Sequence, residues 1–241
     1  MELKAPWKQS LGIIPFTLNY FEGSMVESIQ AIAEEYPTEY AFTFMGHSVT
    51  YKSMMRHIEE CAKSLKALGI QENDHVTIAL PNCPQAIYMF YAVNMVGAVA
   101  NMIHPLSAAN EISFYINVSH SVLAVTLDQF YGKFERIRAN TGISNIIIAS
   151  VKDALTAPLK FGYMLTEGRK LEKIPKDAPI IRWYDFLKMG ENCTESYIVN
   201  RTDEDPAVIL YSGGTTGTTK GIVLTNRNFN ALGLQIVATN P

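Results

Sequence analysis

The chain has 241 residues, 48% of them hydrophobic and 18% charged, against a charged share of about 25% in ordinary soluble domains. That composition excludes a disordered chain, which would be charge-rich and poor in apolar residues, and the length is ample for a full hydrophobic core. Twenty Lys and Arg against 23 Asp and Glu leave a formal charge of −3, so no basic excess is present to neutralise a nucleic-acid backbone and no nucleic-acid partner is expected.

Cys61, Cys83 and Cys193 form no CxxC pair, which argues against a disulfide framework and against structural zinc. Residues 1–6 show no basic region followed by an apolar core, so they do not read as a signal peptide. The sequons at Asn117, Asn192 and Asn200 are then read as chance matches, and the expected location is the cytoplasm.

In chain order, Ser24 followed by Glu27 predicts a capping box at the start of a first helix. Val26, Ile29, Ile32 and Ala33 give that helix an apolar face before Pro37 stops it. Residues 40–45 and the stretch around Val49 read as the strands of a hairpin. Tyr51, Met54, Met55, Ile58, Cys61, Ala62, Leu65 and Leu68 then recur at helical spacing up to Gly69, a C-terminal stop; the stripe reads as core.

A regular alternation follows. Strands are predicted at Val76–Leu80, Ala98–Met102, Val122–Thr126 and Ile146–Ala149, with helices near 84–96, 108–119 and 129–139. Pro84 suits the first turn of its helix and Gly97 its stop. Near-continuous apolar strands separated by helices predict an α/β fold, a mainly parallel sheet with helices on both faces and right-handed crossovers. Residues Ile87 to Ile103 are apolar apart from two asparagines. Asn94, Gly97 and Asn101 interrupt them, so a buried helix running into a buried strand is favoured over a transmembrane helix of about 20 residues.

Residues 150–182 lose the rhythm and carry seven Lys or Arg against four Asp or Glu. A solvated excursion is the favoured reading, and a membrane-surface or partner-binding element, a peripheral membrane contact, is the alternative. A short helix near 183–189 and the acidic Asp203-Glu204-Asp205 lead into the most informative segment.

Val208–Tyr211 reads as a strand, Ile222–Thr225 as a second, and a helix from Asn226 or Arg227 to Ala238 follows. Between the strands runs Ser212-Gly213-Gly214-Thr215-Thr216-Gly217-Thr218-Thr219-Lys220-Gly221. Glycines let backbone N–H groups approach phosphate oxygens, hydroxyls donate further hydrogen bonds and the ammonium supplies charge. Serine and threonine oxygens also reach magnesium. The bland alternative for this composition is a flexible polar turn. It is not a Walker A loop, because Lys220 is followed by glycine and a β-prone run rather than by Ser or Thr opening a helix.

The segment from Tyr211 to Gly221 resembles the phosphate loop of the acyl-adenylate-forming enzymes, the AMP-dependent synthetases and ligases. Asp205-Pro206-Ala207, Leu224-Thr225-Asn226-Arg227-Asn228, Leu80-Pro81-Asn82-Cys83-Pro84, Gly97-Ala98-Val99 with Asn101, and His104-Pro105-Leu106 fall in the same order as in that family. The resemblance covers roughly residues 24–241. Thr219 stands where the family has proline and Asn226 where it has histidine; neither change deletes a phosphate donor.

What the resemblance implies is a fold, an activity and a site. The fold is part of the large N-terminal domain of the adenylate-forming enzymes, with an α/β core over 24–149, an irregular excursion over 150–204, and a phosphate-loop hairpin with its following helix over 205–241. The activity is that of an AMP-forming acyl-CoA synthetase, which uses ATP, Mg2+ and coenzyme A on a small carboxylic acid, a fatty acid in the leading reading. The rivals are an adenylation module loading a carrier protein and a non-catalytic nucleotide-binding module. Ser212, Gly213, Gly214, Thr215, Thr216, Gly217 and Lys220 are implied triphosphate contacts, with Thr216 also near magnesium, and no catalytic residue is identifiable. Because the adenine, ribose and closing-domain elements of the family lie further along its chain, the expectation is an N-terminal portion that folds in large part and is inactive alone.

Overall fold

The structure, a computed structural model, describes residues 17–166, 168, 173–212 and 219–239. Helix α1 (Met25–Glu35) begins at the expected capping box: Ser24 accepts from the Glu27 backbone N–H, and the Glu27 carboxylate accepts from the Ser24 backbone N–H. Strands β1 (Tyr40–Phe44) and β2 (His47–Thr50) pair antiparallel. Met45 and Gly46 join them with φ of 48° and 79°, the positive values that a tight hairpin turn demands. The hairpin delivers Thr50 as N-cap of α2 (Tyr51–Ala67), whose apolar stripe is buried from Met54 to Leu65.

The alternation then follows the sequence pattern closely. Its elements are β3 (His75–Ala79), α3 (Pro84–Met95), β4 (Val99–Met102), α4 (Ala109–Val118), β5 (Leu123–Leu127), α5 (Tyr131–Arg138) and β6 (Asn145–Ala149). The helix predicted near 129–139 begins with a separate 3₁₀ turn, Asp128–Phe130, before α5.

The stretch 150–204 carries more regular structure than its composition suggests. It holds a 3₁₀ turn (Val151–Ala154), helix α6 (Ala157–Leu165), strand β7 (Ile181–Arg182) and helix α7 (Trp183–Gly190). Two residues cannot show an alternating pattern, and β7 exists because Ile181 and Arg182 pair with Ile147 and Ile148 of β6. Strands β8 (Pro206–Ser212) and β9 (Lys220–Thr225) and helix α8 (Asn226–Thr239) complete the described chain.

The large sheet runs β7-β6-β5-β3-β4-β8-β9, parallel throughout except for the antiparallel β8–β9 pair. Each inner strand divides its side chains between two cores. Val76 and Ile78 of β3, Val125 of β5 and Ile147 of β6 face the α2–α3–α7 side. Ala79, Ala124, Ile146 and Ile148 face the α4–α5 side. Burial on both faces is why these strands read as unbroken apolar runs. The run 87–103 is accordingly the buried end of α3 followed by β4. Among the described residues no helix is long and apolar enough to cross a membrane.

Gly97, past the end of α3, has φ of +77°, and a Cβ there would lie 2.8 Å from Val199 Cγ1. Val199 is held at that distance by its backbone N–H, which donates to Met95 O at 2.9 Å. Gly69 has φ of +85° but open space around it. Gly69→Ala should therefore cost only the left-handed backbone strain, about 1–2 kcal/mol, whereas Gly97→Ala adds an overpacking penalty of about 1–3 kcal/mol. Urea unfolding of the two variants should show a lower midpoint for Gly97→Ala than for Gly69→Ala.

Candidate functional site

Strand β8 lies parallel beside β4, with Ala100 opposite Val208 and Asn101 opposite Ile209. It therefore points its C-terminal end, Ser212, toward the edge of the sheet where β3, β4 and β5 also end. In the antiparallel β8–β9 pair Ser212 is directly opposite Lys220, and Tyr211 opposite Gly221. Opposed residues place their Cβ atoms on the same face about 4.5–5.5 Å apart. The hydroxyl and the ammonium thus leave the two strands side by side, both exposed. Of the expected triphosphate contacts, Ser212 and Lys220 stand together at the mouth of the hairpin. Gly213, Gly214, Thr215, Thr216 and Gly217 lie outside the described residues.

The stem of this hairpin is fastened from below. The Tyr211 hydroxyl donates to Asn101 Oδ1 at 2.8 Å and lies 3.1 Å from Tyr115 O, and its ring packs on that of Tyr115 with centroids 4.1 Å apart. Burial pushes the Tyr211 phenol above its ordinary pKa, against the opposing pull of hydrogen bonds to Ser119 and Asn101, so it stays a neutral donor. A Cβ at Gly221 would come within 3.2 Å of Tyr211 Cε1 and 3.3 Å of Ile209 Cγ2. The absence of a side chain there gives the tyrosine ring its room.

Asn101 is fully buried, and its amide nitrogen lies 2.8 Å from Thr77 Oγ1, 2.9 Å from Ser119 Oγ and 3.3 Å from Ser121 Oγ. Further contacts are Thr77 Oγ1 to Ser121 Oγ at 2.8 Å, Ser121 Oγ to Ser119 Oγ at 2.7 Å, and Ser119 Oγ to Ile116 O at 3.1 Å. One proton assignment satisfies the set: Thr77 donates to Ser121, Ser121 to Ser119, Ser119 to the Ile116 carbonyl. The Asn101 amide then donates to Thr77 and Ser119 and accepts from Tyr211. A buried polar group left unpaired costs about 1–3 kcal/mol, so this closed set fixes β8 against β3, β4 and the end of α4.

Strand order reverses at β3, whose neighbours are β4 on one side and β5 on the other. In open parallel sheets ligands bind in the crevice outside the carboxyl ends of strands at such a point. A cavity of about 570 Å³ opens there, lined by Pro81 and Asn82 after β3, His104 and Leu106 after β4, and Gln129 and Phe130 after β5. Its rim is braced by Lys133 of α5, whose ammonium donates to the carbonyls of Pro105, Leu106 and Ser107 at 3.3, 3.1 and 2.9 Å. A second cavity of about 510 Å³ lies among α2, α7 and the start of α3, lined in part by His57, Glu60 and Tyr88. It belongs to the β6–β7 side of the sheet, away from the β8–β9 mouth. Among the described residues no cluster of His, Cys, Asp and Glu is able to hold a metal ion.

The sequence pattern of the AMP-binding enzyme family matches residues 29–240. The chain belongs to the AMP-binding enzyme family. It is 29% identical over 235 residues to a long-chain-fatty-acid–CoA ligase of Bacillus subtilis (strain 168), covering 96% of this chain and 42% of that protein. It is 25% identical over 201 residues to 4-coumarate–CoA ligase 1 of Arabidopsis thaliana, covering 81% of this chain and 32% of that one. The crystal structure of a long-chain-fatty-acid-CoA ligase from Archaeoglobus fulgidus superposes with a TM-score of 0.71 at 21% identity, over 92% of this chain and 40% of the other. This AMP-binding enzyme chain thus spans about a third to two-fifths of the length of these relatives.

The residue that sequence reasoning left without a role is Asn101. It was visible as a polar interruption in an apolar run, but its partners sit 18 to 110 positions away. Asn226, which stands where the family has histidine, is a pin: its Oδ1 accepts from the Met25 N–H at 3.0 Å and its amide donates to Thr202 O and Asp205 O at 3.0 and 3.3 Å. Asn101→Ala should destabilise the protein by about 1–3 kcal/mol and Tyr211→Phe by about 1 kcal/mol. Because the two share one hydrogen bond, the double variant should lose less than the sum of the singles by at least about 0.5 kcal/mol. Urea unfolding of the four-member cycle checks this.

Proposed function

We propose that the chain is the N-terminal part of an ATP-dependent, AMP-forming acyl-CoA synthetase that activates a carboxylic acid, a fatty acid in the first instance. The observation that carries the reading is the antiparallel pairing of Ser212 with Lys220 across the mouth of a glycine- and threonine-rich segment, in a chain whose family is that of the AMP-binding enzymes. The choice of coenzyme A as acceptor and of a fatty acid as substrate is supported by the Bacillus relative, a long-chain-fatty-acid–CoA ligase by name.

In the proposed reaction a carboxylate oxygen attacks the α-phosphorus of ATP, the bond to the β-phosphate oxygen breaks, and pyrophosphate leaves. A thiolate of coenzyme A then attacks the acyl carbon and AMP departs. The difficulty of the first step is charge, since an anion approaches a polyanion, and positioned donors offset that repulsion. Ser212, Gly213, Gly214, Thr215, Thr216 and Gly217 would donate hydroxyl and backbone N–H groups to the triphosphate, and Lys220 its ammonium. The donor set fits magnesium as well, because hydroxyl oxygens are hard ligands and a hydrated Mg2+ is commonly held through a few protein oxygens together with substrate phosphates; Thr216 is the residue proposed to lie beside it. Magnesium, when bound, neutralises phosphate charge.

Replacing Lys220 by Ala in the full-length protein should remove one charge-assisted contact worth about 1.5–3 kcal/mol. Carboxylate-dependent ATP–pyrophosphate exchange should then fall by roughly ten- to a hundredfold, at about 1.4 kcal/mol per decade. Transfer of a pre-formed acyl-adenylate to coenzyme A should change much less, because pyrophosphate has already left. Unchanged ATP affinity and unchanged exchange in Lys220→Ala would remove the proposed role.

A further inference from the structure

Helix α6 presents its apolar stripe outward. Ala157, Phe161, Met164 and Leu165 fall at positions i, i+4, i+7 and i+8 of one face, and Leu159 on the opposite side is also exposed, at 44%, so the helix is apolar nearly all round with Lys160 as its one charge. Such a helix would ordinarily be buried. Here Phe161, Met164 and Leu165 are 65%, 51% and 44% exposed, and none of the nine helical residues is buried. A helix this short is not stable in water through its own hydrogen bonds.

The charge around this helix departs from that of the rest of the chain. Residues 150–182 carry seven Lys or Arg and four Asp or Glu, while the other 208 residues carry 13 and 19. Lys160 is exposed on the helix at the edge of the 510 Å³ cavity, Lys152 lies in the preceding 3₁₀ turn, and Lys173 and Lys176 follow in sequence. One of the acids, Asp153, is engaged locally, its carboxylate accepting from the Ser150 backbone N–H at 2.9 Å.

We propose that α6 is a docking element for an anionic lipid surface, its Phe161–Met164–Leu165 face entering the headgroup boundary and the flanking lysines meeting lipid phosphates. An outward apolar stripe bordered by basic residues is the arrangement that interfacial helices use. Each basic residue near an anionic bilayer adds on the order of tenfold or less to its affinity. The rest of the chain, with its acidic excess, is repelled from the same surface, so charge orients the protein with α6 toward the lipid. The inference stands on α6 and its charges and does not depend on the acyl-CoA synthetase reading.

Flotation of the purified protein with vesicles of phosphatidylcholine, alone or mixed with phosphatidylglycerol, tests it. The unsubstituted protein should float with the mixed vesicles, float poorly with phosphatidylcholine alone, and be released by raised salt. Phe161→Glu with Leu165→Glu should weaken binding to the mixed vesicles by roughly tenfold or more. Lys160→Glu with Lys176→Glu should weaken it and flatten its salt dependence. Val118→Glu, at an exposed apolar position on α4, should change nothing, and far-ultraviolet circular dichroism should be the same for all forms. Failure of the unsubstituted protein to float, equal binding to both vesicle types, or undiminished binding of the Phe161/Leu165 variant would overturn the proposal. So would a sedimentation experiment in which that variant dissolves a dimer while no form binds vesicles, since the face would then belong to a second copy of the chain.

Discussion

A single buried amide holds the candidate site to the sheet. Asn101 sits in the middle of a parallel strand with no access to water, where an unsatisfied polar group costs as much as a substantial fraction of a domain's net stability. Its needs are met by Thr77 from β3, Ser119 from the end of α4 and Tyr211 from β8. Those partners come from three separate elements, so the arrangement is all or nothing. The result is that β8 takes one register beside β4, and Ser212 reaches the sheet edge at one height. The pairing of Ser212 with Lys220 inherits that placement.

Other polar side chains fasten the approach to β8 in the same manner. Arg201, whose side chain is almost wholly buried, donates to Glu72 Oε1 at 2.8 Å and to Asn73 Oδ1 at 3.0 Å, tying the segment before β8 to the turn before β3. Asn226 joins the start of α1 to the loop at Thr202 and Asp205. Asp205 in turn is held below the usual carboxylate range by hydrogen bonds from Thr202 and by Arg201. These contacts span long sequence separations, and together they make the final hairpin part of the α/β core although it is the last strand pair of the described chain.

The two ends of the sheet differ in character. At the β8–β9 end Ile222 and Val223 of the edge strand and Leu232, Ile236 and Val237 of α8 are exposed. At the β6–β7 end the exposed apolar residues include those of α6, with Tyr184 and Met189 of α7, and basic residues border α6 in sequence. The first surface lies beside the hairpin that carries Ser212 and Lys220. In the second, α6 stands on a crossover connection that the parallel sheet does not require to be apolar, since β6 and β7 need only a right-handed link.

The sequence by itself determined the α/β class, the positions of β3 to β6 and the hairpin at 208–225. Those features rest on local physics: a capping box needs only Ser24 and Glu27, a doubly buried strand needs only its own run of apolar residues, and a glycine stop needs only its own φ. It also marked the segment proposed to bind phosphate, because its glycines, hydroxyls and lysine are concentrated in ten consecutive residues. Tertiary structure decided what Asn101, Tyr211 and Asn226 do, because a hydrogen bond between residues up to 201 positions apart leaves no periodicity in the chain. It decided β7, two residues that are a strand only because β6 offers them a ladder. It also decided the exposure of α6, a helix apolar nearly all round that lies outside the core. Local sequence marks a helix as apolar, and only packing decides whether the rest of the chain covers it.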